Sequence, residues 1–382
     1  MDMLRLDLRA VPEPAPASAL QLQAALARLQ QRADKDQRWL DTDVLAAQHE
    51  AILEFAESMR GRVHTLVTLS VGASALPVLA LRTALNSPFH NLTMPGGLPR
   101  LIVLDNIDPD LIGEFLDCVD PSECLFQVVS RSGESEATLA LLSILRGELA
   151  RRLGGEGHKE RVVITTNAHS GALHEIAQRE GYTRFDIPDG VHGRHAALSP
   201  VGLLPAALLG IDTHGLLAGA RDMAQLAQHA AWIDNPALAW AAAHSTLALT
   251  GHETVVHASF SHRLRDLGAY ATQLFHETGL PAVHAAGVLE RHSQLEPLIA
   301  SHRAPWFSIV SVNAQDHQVA LPGSLSLNQL HGEHCADAVS TLVAAEVPFV
   351  RVQLPRVSAH ALGQYFQFQQ TAAALSADLA AT

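Results

Sequence analysis

Lysine is almost absent from this sequence of 382 residues, because its 26 basic residues include only Lys35 and Lys159. Chemistry that needs a lysine amine therefore has two candidate positions, and none after residue 159. Cysteine is also scarce, since Cys118, Cys124 and Cys335 are the only three and form no closely spaced pair. Three such positions exclude a disulfide framework and favour free thiols in a reducing compartment. We therefore expect a cytoplasmic protein.

The chain also lacks an excess of positive charge, since its formal net charge is −13. Affinity for a nucleic-acid backbone needs clustered arginine and lysine, so we predict no nucleic-acid partner. Long apolar runs are missing as well, because Gly72 and Pro77 interrupt Val63–Leu81, and Pro200 interrupts Ala196–Ile211. No basic segment followed by an apolar core opens the chain. We expect neither a signal peptide nor a membrane partner.

Short apolar runs alternate with helical periodicity along most of the chain. Residues 1–60 are predicted to form an arm, extended over Val11–Ala19, and then a helical region. Near-continuous apolar strands alternating with helices are typical of parallel βαβ units whose sheets are covered on both faces. The sequence therefore predicts an α/β protein with two domains, 61–215 and 216–382, each a mainly parallel sheet flanked by helices. The predicted strands are Thr65–Val71, Leu101–Asp105, Leu125–Ser130, Arg161–Thr166, Thr254–Phe260, Trp306–Val312 and Phe349–Leu354.

The segment Ser130-Arg131-Ser132-Gly133-Glu134-Ser135 stands between a predicted strand and a predicted helix at Ala137–Leu153. A turn that opens a helix offers free backbone N–H groups and the positive end of the helix dipole. Together with several hydroxyls and a cation, these groups suit a phosphomonoester. The same serines are equally typical of an ordinary N-cap and turn. The residues alone leave both interpretations open.

At this loop the chain begins to resemble the phosphoglucose isomerase family, and the resemblance extends over roughly residues 60 to 380 in the family's order. It implies the sugar-isomerase fold, a phosphate loop in the first domain, and interconversion of glucose 6-phosphate and fructose 6-phosphate. It also extends to the C-terminal helix predicted at Leu362–Leu379. The segments that carry it are Val71–Leu76 (VGASAL), Val103–Thr138 with its LDN-x-DP sequence and loop, Gly193–Leu203 (GRHAALSPVGL), Gln273–Thr278 (QLFHET) and Arg291–Gln294 (RHSQ).

The resemblance implies a role for particular side chains. Aldose–ketose interconversion moves a proton between adjacent carbons through a cis-enediol, which needs one carboxylate base. Glu277 occupies the base position, Arg194 matches the arginine that stabilises the enediolate oxygen, and His292 matches the ring-opening histidine. Without the resemblance, Glu277 would be taken for a solvated helix residue. The implied phosphate-binding residues are Ser130, Arg131, Ser132 and Ser135, and the implied substrate-binding residues are Gly72, Ser74 and Gln273.

The predicted partner is a small sugar phosphate, with no cofactor. No metal site is predicted, because the pair in His331-Gly332-Glu333-His334 has no third ligand at a convincing spacing. In the family, the histidine that His292 matches reaches the active site from the partner subunit. The resemblance therefore implies a homodimer.

Several positions depart from the family pattern. Arg131 replaces a lysine, Ala137 replaces a glutamate and His195 replaces a phenylalanine. Glu134 stands where the family has serine or threonine, and its carboxylate would repel a phosphate dianion if it pointed into the loop. The sequence also ends at Thr382, before the family's segment that leads to a lysine at the sugar ring oxygen. We expect slower ring opening without that lysine.

These departures leave a second hypothesis open. A catalytically degenerate homologue would bind a sugar phosphate and act in regulation or structure. A third class, an aminosugar-phosphate isomerase or a sugar-phosphate-sensing regulator, shares the phosphate loop. A member of that third class would lack a set of residues that this sequence has, namely Arg194, Glu277 and His292. We therefore favour an active isomerase.

Overall fold

The structure is a computed structural model, in which the chain divides into two compact units. The first unit comprises Asp34–Arg82 and Asn86–Thr213, and the second comprises Met1–Ala33, Thr83–Leu85 and His214–Thr382. Each unit has one five-stranded sheet flanked by helices, so the predicted α/β class is confirmed. The domain boundaries at residues 61 and 216 stay predictions. The described residues are 3–13, 16–229, 231–286, 293, 295–300, 304–323 and 326–381.

Strands and helices alternate along most of the described residues. The strands are β1 Arg5–Asp7, β2 Thr65–Ser70, β3 Arg100–Leu104, β4 Cys124–Ser130, β5 Val162–Asn167, β6 Thr183–Ile187, β7 Val255–Ser259, β8 Ala282–Ala286, β9 Trp306–Ala314 and β10 Phe349–Arg356. The helices are α1 Pro16–Gln31, α2 Thr42–Ala46, α3 His49–Met59, α4 Ala75–Leu85, α5 His90–Thr93, α6 Pro109–Cys118, α7 Glu136–Gly157, α8 Ala172–Glu180, α9 Pro200–Leu208, α10 Thr213–Leu226, α11 Pro236–Leu249, α12 Arg265–Glu277, α13 Glu296–Ile299, α14 Leu327–Ala344 and α15 Ala359–Ala380.

The sheet of the first unit is parallel throughout, with the strand order β3-β2-β4-β5-β6. Its central strands β2 and β4 are buried along their whole length, as near-continuous apolar runs predict. Phe126 of β4 packs with Leu141 and Leu145 of α7 in the core. Ser70 pairs in register with Val129, so β2 and β4 end at the same edge of the sheet. The turns after these two strands therefore begin side by side.

The sheet of the second unit has the order β1-β10-β9-β7-β8, and only the short β1 runs antiparallel. Its core joins Val256 of β7, Phe307 and Ile309 of β9, Leu342 of α14 and Phe349 of β10. The two sheets have the same strand order when one of them is read in reverse. The equivalent strands are β2 and β7, β3 and β8, β4 and β9, and β5 and β10. The third strand of each series, β4 or β9, thus lies beside the first.

The helices confirm two of the predicted segments and correct one. The helix predicted at Ala137–Leu153 is α7, and the one at Leu362–Leu379 is α15. The arm predicted over Val11–Ala19 is shorter than expected, because α1 already begins at Pro16. Proline is well tolerated in the first turn of a helix, where its missing N–H costs no hydrogen bond. Among the described residues, no helix is both long enough and apolar enough to cross a bilayer.

Candidate active site

The segment Ser130–Ser135, called here the phosphate loop, links the end of β4 to the start of α7. Ser135 is the N-cap of α7, and its Oγ accepts a hydrogen bond from the Thr138 N–H at 3.4 Å. The Oγ of Ser132 accepts one from the Glu134 N–H at 3.1 Å. Ser130 is buried, whereas the side chains of Arg131 and Ser132 are exposed. The loop thus presents hydroxyls, a cation and a helix N-terminus.

A turn after the neighbouring strand β5, residues Asn167–Gly171, holds this loop in place and is called here the support turn. The Asn167 side-chain amide donates hydrogen bonds to the carbonyl oxygens of Arg131 and Ser132, at 3.2 and 3.3 Å. Thr166 donates from Oγ1 to the carbonyl oxygen of Ser130 at 2.7 Å. None of these supporting residues was predicted from the sequence. They stand at the carboxyl end of β5, the parallel strand next to β4, and this position is the signal that could have revealed them.

Gly171 lets the support turn approach the phosphate loop closely. Its φ of 97° lies in a region that other residues rarely adopt. A Cβ at this position would lie only 2.4 Å from the carbonyl oxygen of Ser132. Only glycine fits here without displacing the backbone of the phosphate loop.

The carboxylate of Glu134 is hydrogen-bonded to the start of α8, which offsets its negative charge. Its Oε1 accepts a hydrogen bond from the Ala172 N–H at 2.8 Å, at the first residue of α8. The N-cap of α8 is Gly171, which has no side chain to cap the helix, so Glu134 supplies the missing acceptor. The positive end of the α8 dipole offsets the carboxylate charge.

Two short 3-10 turns in the first unit carry further predicted residues. The first is Gly72–Ser74, directly after β2, where Ser74 Oγ accepts a hydrogen bond from Ser70 Oγ at 2.7 Å. The second is Gly193–Leu198, which carries the half-buried Arg194. These two turns pack against each other. Since β2 adjoins β4, the first unit brings the Gly72–Ser74 turn and the phosphate loop to one edge of its sheet.

His195, directly after Arg194, serves as a buried aromatic residue. Its ring stacks on Trp39 with centroids 4.4 Å apart and an interplanar angle of 18°. Burial lowers the pKa of this imidazole well below 6.5, and the nearby charge of Arg194 lowers it further. Neither ring nitrogen has a hydrogen-bond partner among the described residues. A phenylalanine, which the family has here, would fill the same place.

Gln273 and Glu277 lie four residues apart on α12 in the second unit, and therefore on one face of the helix. Gln273 donates a hydrogen bond from Nε2 to Oε1 of Glu277 at 3.0 Å. Gln273 is half-buried and Glu277 is exposed at the last residue of the helix. One turn earlier, the buried Tyr270 accepts a hydrogen bond from Gln370 of α15 at 2.9 Å, which ties α12 to that helix. The carboxylate thus stands on an anchored element.

The predicted site residues are divided between the two units. The first unit holds the phosphate loop, the Gly72–Ser74 turn and Arg194, and the second holds the Gln273–Glu277 pair. His292, the predicted ring-opening residue, lies outside the described residues. The residues predicted to bind the phosphate thus lie in the first unit, and the residue predicted to be the base lies in the second.

The family model described as phosphoglucose isomerase matches residues 50–296 of this chain. Glucose-6-phosphate isomerase of Rubrobacter xylanophilus is 33% identical over 351 residues, which cover 86% of this chain and 81% of that protein. Glucose-6-phosphate isomerase of Symbiobacterium thermophilum is 32% identical over 360 residues, covering 88% and 80%. The range matched by the family model includes every predicted site residue.

Solved structures agree with these matches. A crystal structure of a hypothetical protein from Thermus thermophilus superposes with a TM-score of 0.89 at 29% identity, covering 99% of this chain and 94% of that one. A glucose-6-phosphate isomerase from Chlamydia trachomatis has the same fold, with a TM-score of 0.81, 18% identity and coverage of 99% and 84%. From the family match and the identities of 33% and 32% to named members, we conclude that the chain belongs to the phosphoglucose isomerase family.

Proposed function

We propose that this protein interconverts glucose 6-phosphate and fructose 6-phosphate. The observation that carries the proposal is the family match over residues 50–296, a range that holds both the phosphate loop and Glu277. The relatives reported above are named glucose-6-phosphate isomerase. On the same basis we propose that the protein acts in glycolysis and gluconeogenesis and that its location is cytoplasmic.

The phosphate loop is proposed to hold the substrate phosphate. Ser130, Ser132 and Ser135 offer hydroxyl donors, and backbone N–H groups at the start of α7 add the positive end of a helix dipole. The exposed guanidinium of Arg131 supplies the cation. Because Glu134 is hydrogen-bonded to the Ala172 N–H, its carboxylate does not compete with the phosphate for these positive groups. This contact removes the main reason to regard the loop as unfit for its ligand.

Glu277 is proposed to move the proton between the two carbons of the substrate. A carboxylate can take the proton from one carbon and return it to the next through a cis-enediol. Gln273 orients that carboxylate through the hydrogen bond at 3.0 Å. Arg194 is proposed to stabilise the enediolate oxygen, while Gly72 and Ser74 contact the sugar. Ring opening is assigned to His292.

Replacement of the base tests this proposal. In a coupled assay with both sugar phosphates, Glu277→Gln should lower kcat by at least about 100-fold, because an amide cannot accept the proton. The KM should change little, since the amide is nearly the same size. Glu333→Gln, an exposed residue of α14, is the matched control and should keep full activity. Substrate binding with no turnover in the unaltered protein would instead support the catalytically degenerate homologue.

We also propose that the protein acts as a homodimer. The support is the family resemblance at Arg291–Gln294, since the family's ring-opening histidine comes from the partner subunit. Mixing subunits that carry different inactivating replacements tests this assignment, because only a shared site can then recover activity.

A further inference from the structure

A cavity of about 1040 Å³ lies within the second unit, apart from the residues with proposed roles. Its walls come from the segment just after β7, from the end of β9 and the residues that follow it, from one side of α14, and from Arg351 of β10. Sites for small molecules in proteins commonly measure about 300 to 1,000 Å³. The cavity therefore has room for a whole metabolite.

The position of the cavity in the sheet matches that of the phosphate loop in the first unit. The cavity lies at the carboxyl end of β9, and β9 takes the place in its sheet that β4 takes in the other. Ligands of open α/β sheets bind at the carboxyl ends of parallel strands, beside a switch in strand order. The second sheet thus has a cavity at the point where the first has the phosphate loop.

The charges on the cavity wall favour an anion. Among the described residues, Arg351 and Arg263 line it, against one lining carboxylate, Asp316. Arg263 pairs with that carboxylate at 2.7 Å, so their charges largely cancel. Asp7 lies opposite Arg351 in the sheet and feels its charge, but the Asp7 carboxylate accepts its hydrogen bonds from Arg9. In a chain with a net charge of −13, this wall keeps one positive charge in excess.

Two polar atoms of the wall are buried and lack hydrogen-bond partners among the described residues. These are Nε of Arg351 and Oγ of Ser311. Both residues belong to neighbouring parallel strands, and Arg351 pairs in register with Ile309, two residues before Ser311. Burying such groups without partners costs free energy, and a side-chain rotation that turns either group toward the cavity would let a bound polar ligand recover it.

Two other wall residues, His331 and Cys335, add no negative charge to the cavity. His331 donates from Nε2 to the Phe260 carbonyl oxygen at 2.8 Å, and its Nδ1 lies 3.3 Å from the Gln315 amide. Burial raises the pKa of the Cys335 thiol to about 11, so it is neutral at physiological pH and does not repel an anion. The wall is therefore suited to binding.

We propose that this cavity is a second ligand site, which takes a small polyhydroxylated anion. Its carboxylate or phosphate pairs with Arg351 and Ser311, and its hydroxyls meet the side-chain amides of Asn313 and Gln315, which line the same wall. The site is separate from the one proposed for isomerisation, so its ligand is expected to bind whether or not the substrate is present.

Calorimetric titration of the full chain tests the proposal with two probes, D-gluconate for the carboxylate and glycerol 3-phosphate for the phosphate ester. Each titration is run without and with saturating fructose 6-phosphate, which occupies the substrate site. We expect one of the probes to bind at one site per chain under both conditions. The probe that binds identifies the anionic group.

Two substitutions locate the binding. Arg351→Met should weaken it by about tenfold or more, because a charged hydrogen-bonding partner is lost. Gly332→Leu should abolish it, because a Cβ there meets no atom within 4 Å and the side chain would occupy the cavity. Leucine favours a helix more than glycine does, so this variant should fold. Arg28→Met, at an ion pair with Asp378 outside the cavity wall, is the control and should bind normally.

The two variants at the cavity should keep full isomerase activity, which separates this site from the proposed active site. Two results would overturn the proposal. One is the absence of binding by both probes in the presence of fructose 6-phosphate. The other is binding that persists unchanged in both Arg351→Met and Gly332→Leu.

Discussion

At the scale of single residues, His195 shows how a polar side chain can replace an aromatic one in a protein core. Its ring lies flat on Trp39 and is 2% exposed. The energetic consequence is a dependence on pH that phenylalanine would not have. His244 and His257 share this property in the second unit, where burial lowers their pKa values to about 4 and about 3.

The change His195→Phe should therefore make the protein more resistant to acid. The unfolded chain takes up a proton on this imidazole near pH 6.5, whereas the folded chain keeps it neutral to a much lower pH. Stability is thus lost as the pH falls below about 6.5, since only the unfolded state is protonated there. The free energy of unfolding should fall in both proteins when the pH is lowered from about 7 to about 5. The fall should be smaller in the variant, by up to about 2 kcal/mol.

Urea unfolding at the two pH values measures this difference. His334→Gln, an exposed position on α14, is the control and should keep the pH dependence of the unaltered protein. Equal pH dependence in His195→Phe and the unaltered protein would contradict a neutral, buried imidazole at this position.

Glu134 shows what could not be predicted from the sequence at this scale. The position of the phosphate loop can be read from local order, because a buried strand, a serine-rich turn and a helical pattern are consecutive. The partner of Glu134 is the N–H of Ala172, which is 38 residues away and comes close only once β4 and β5 pair. A sequence pattern identifies the carboxylate, but the hydrogen bond depends on the tertiary fold.

At the scale of elements, the phosphate loop and the support turn form a pair of adjacent strand-to-helix connections. The loop comes after β4, and the turn comes after β5, its parallel neighbour. The side chains of Asn167 and Thr166 and the backbone of Gly171 contact the loop from this side. Since the loop's own hydrogen bonds are few, we expect its shape to depend on the support turn.

The change Gly171→Ala should therefore weaken substrate binding. The added methyl would lie 2.4 Å from the Ser132 carbonyl oxygen, so the loop backbone must shift. Displacement of a binding group by about 1 Å can cost a factor of about 100, and we expect the KM for glucose 6-phosphate to rise by about tenfold or more.

Gly181→Ala is the matched control for this variant. Gly181 also has a positive φ, 72°, at the other end of α8, but a Cβ there meets no atom within 4 Å. It should cost about 1 kcal/mol of stability through backbone strain and leave the KM unchanged. A similar KM in both variants would mean that the support turn does not set the shape of the phosphate loop.

The strands also show which elements a sequence reveals. The seven predicted strands all exist, because buried strands are continuous apolar runs. The three that were missed, β1, β6 and β8, lie at sheet edges, where polar or small residues are tolerated. Thr183–Ile187 alternates with charged residues, and Ala282–Ala286 is mostly alanine. Such segments become strands because a neighbouring strand offers hydrogen bonds.

At the scale of the whole molecule, the two units share a strand order but differ in the connection after the third strand. In the first unit, β4 leads directly into the phosphate loop and α7. In the second, a longer connection joins β9 to α14, and the cavity lies there. The repeat of the fold could be predicted from the sequence. The cavity could not, because its wall is drawn from segments far apart in the chain.

The homodimer is also a property of this scale, and mixing two inactive variants tests it. Glu277→Gln lacks the proposed base, and His292→Ala lacks the proposed ring-opening residue. In a symmetric dimer whose histidine acts across the interface, a mixed pair has one site with both replacements and one with neither. Unfolding and refolding equal amounts together should therefore restore about a quarter of the activity of the unaltered protein, since about half of the dimers are mixed.

If His292 acted within its own chain, every site in the mixture would lack one essential group and no activity would return. Sugar phosphates also open spontaneously in water, so the activity of each variant refolded alone is the baseline from which recovery is measured. The mass of the assembly, measured by light scattering before and after refolding, shows whether dimers have formed. Recovered activity together with a dimeric mass is the result we expect.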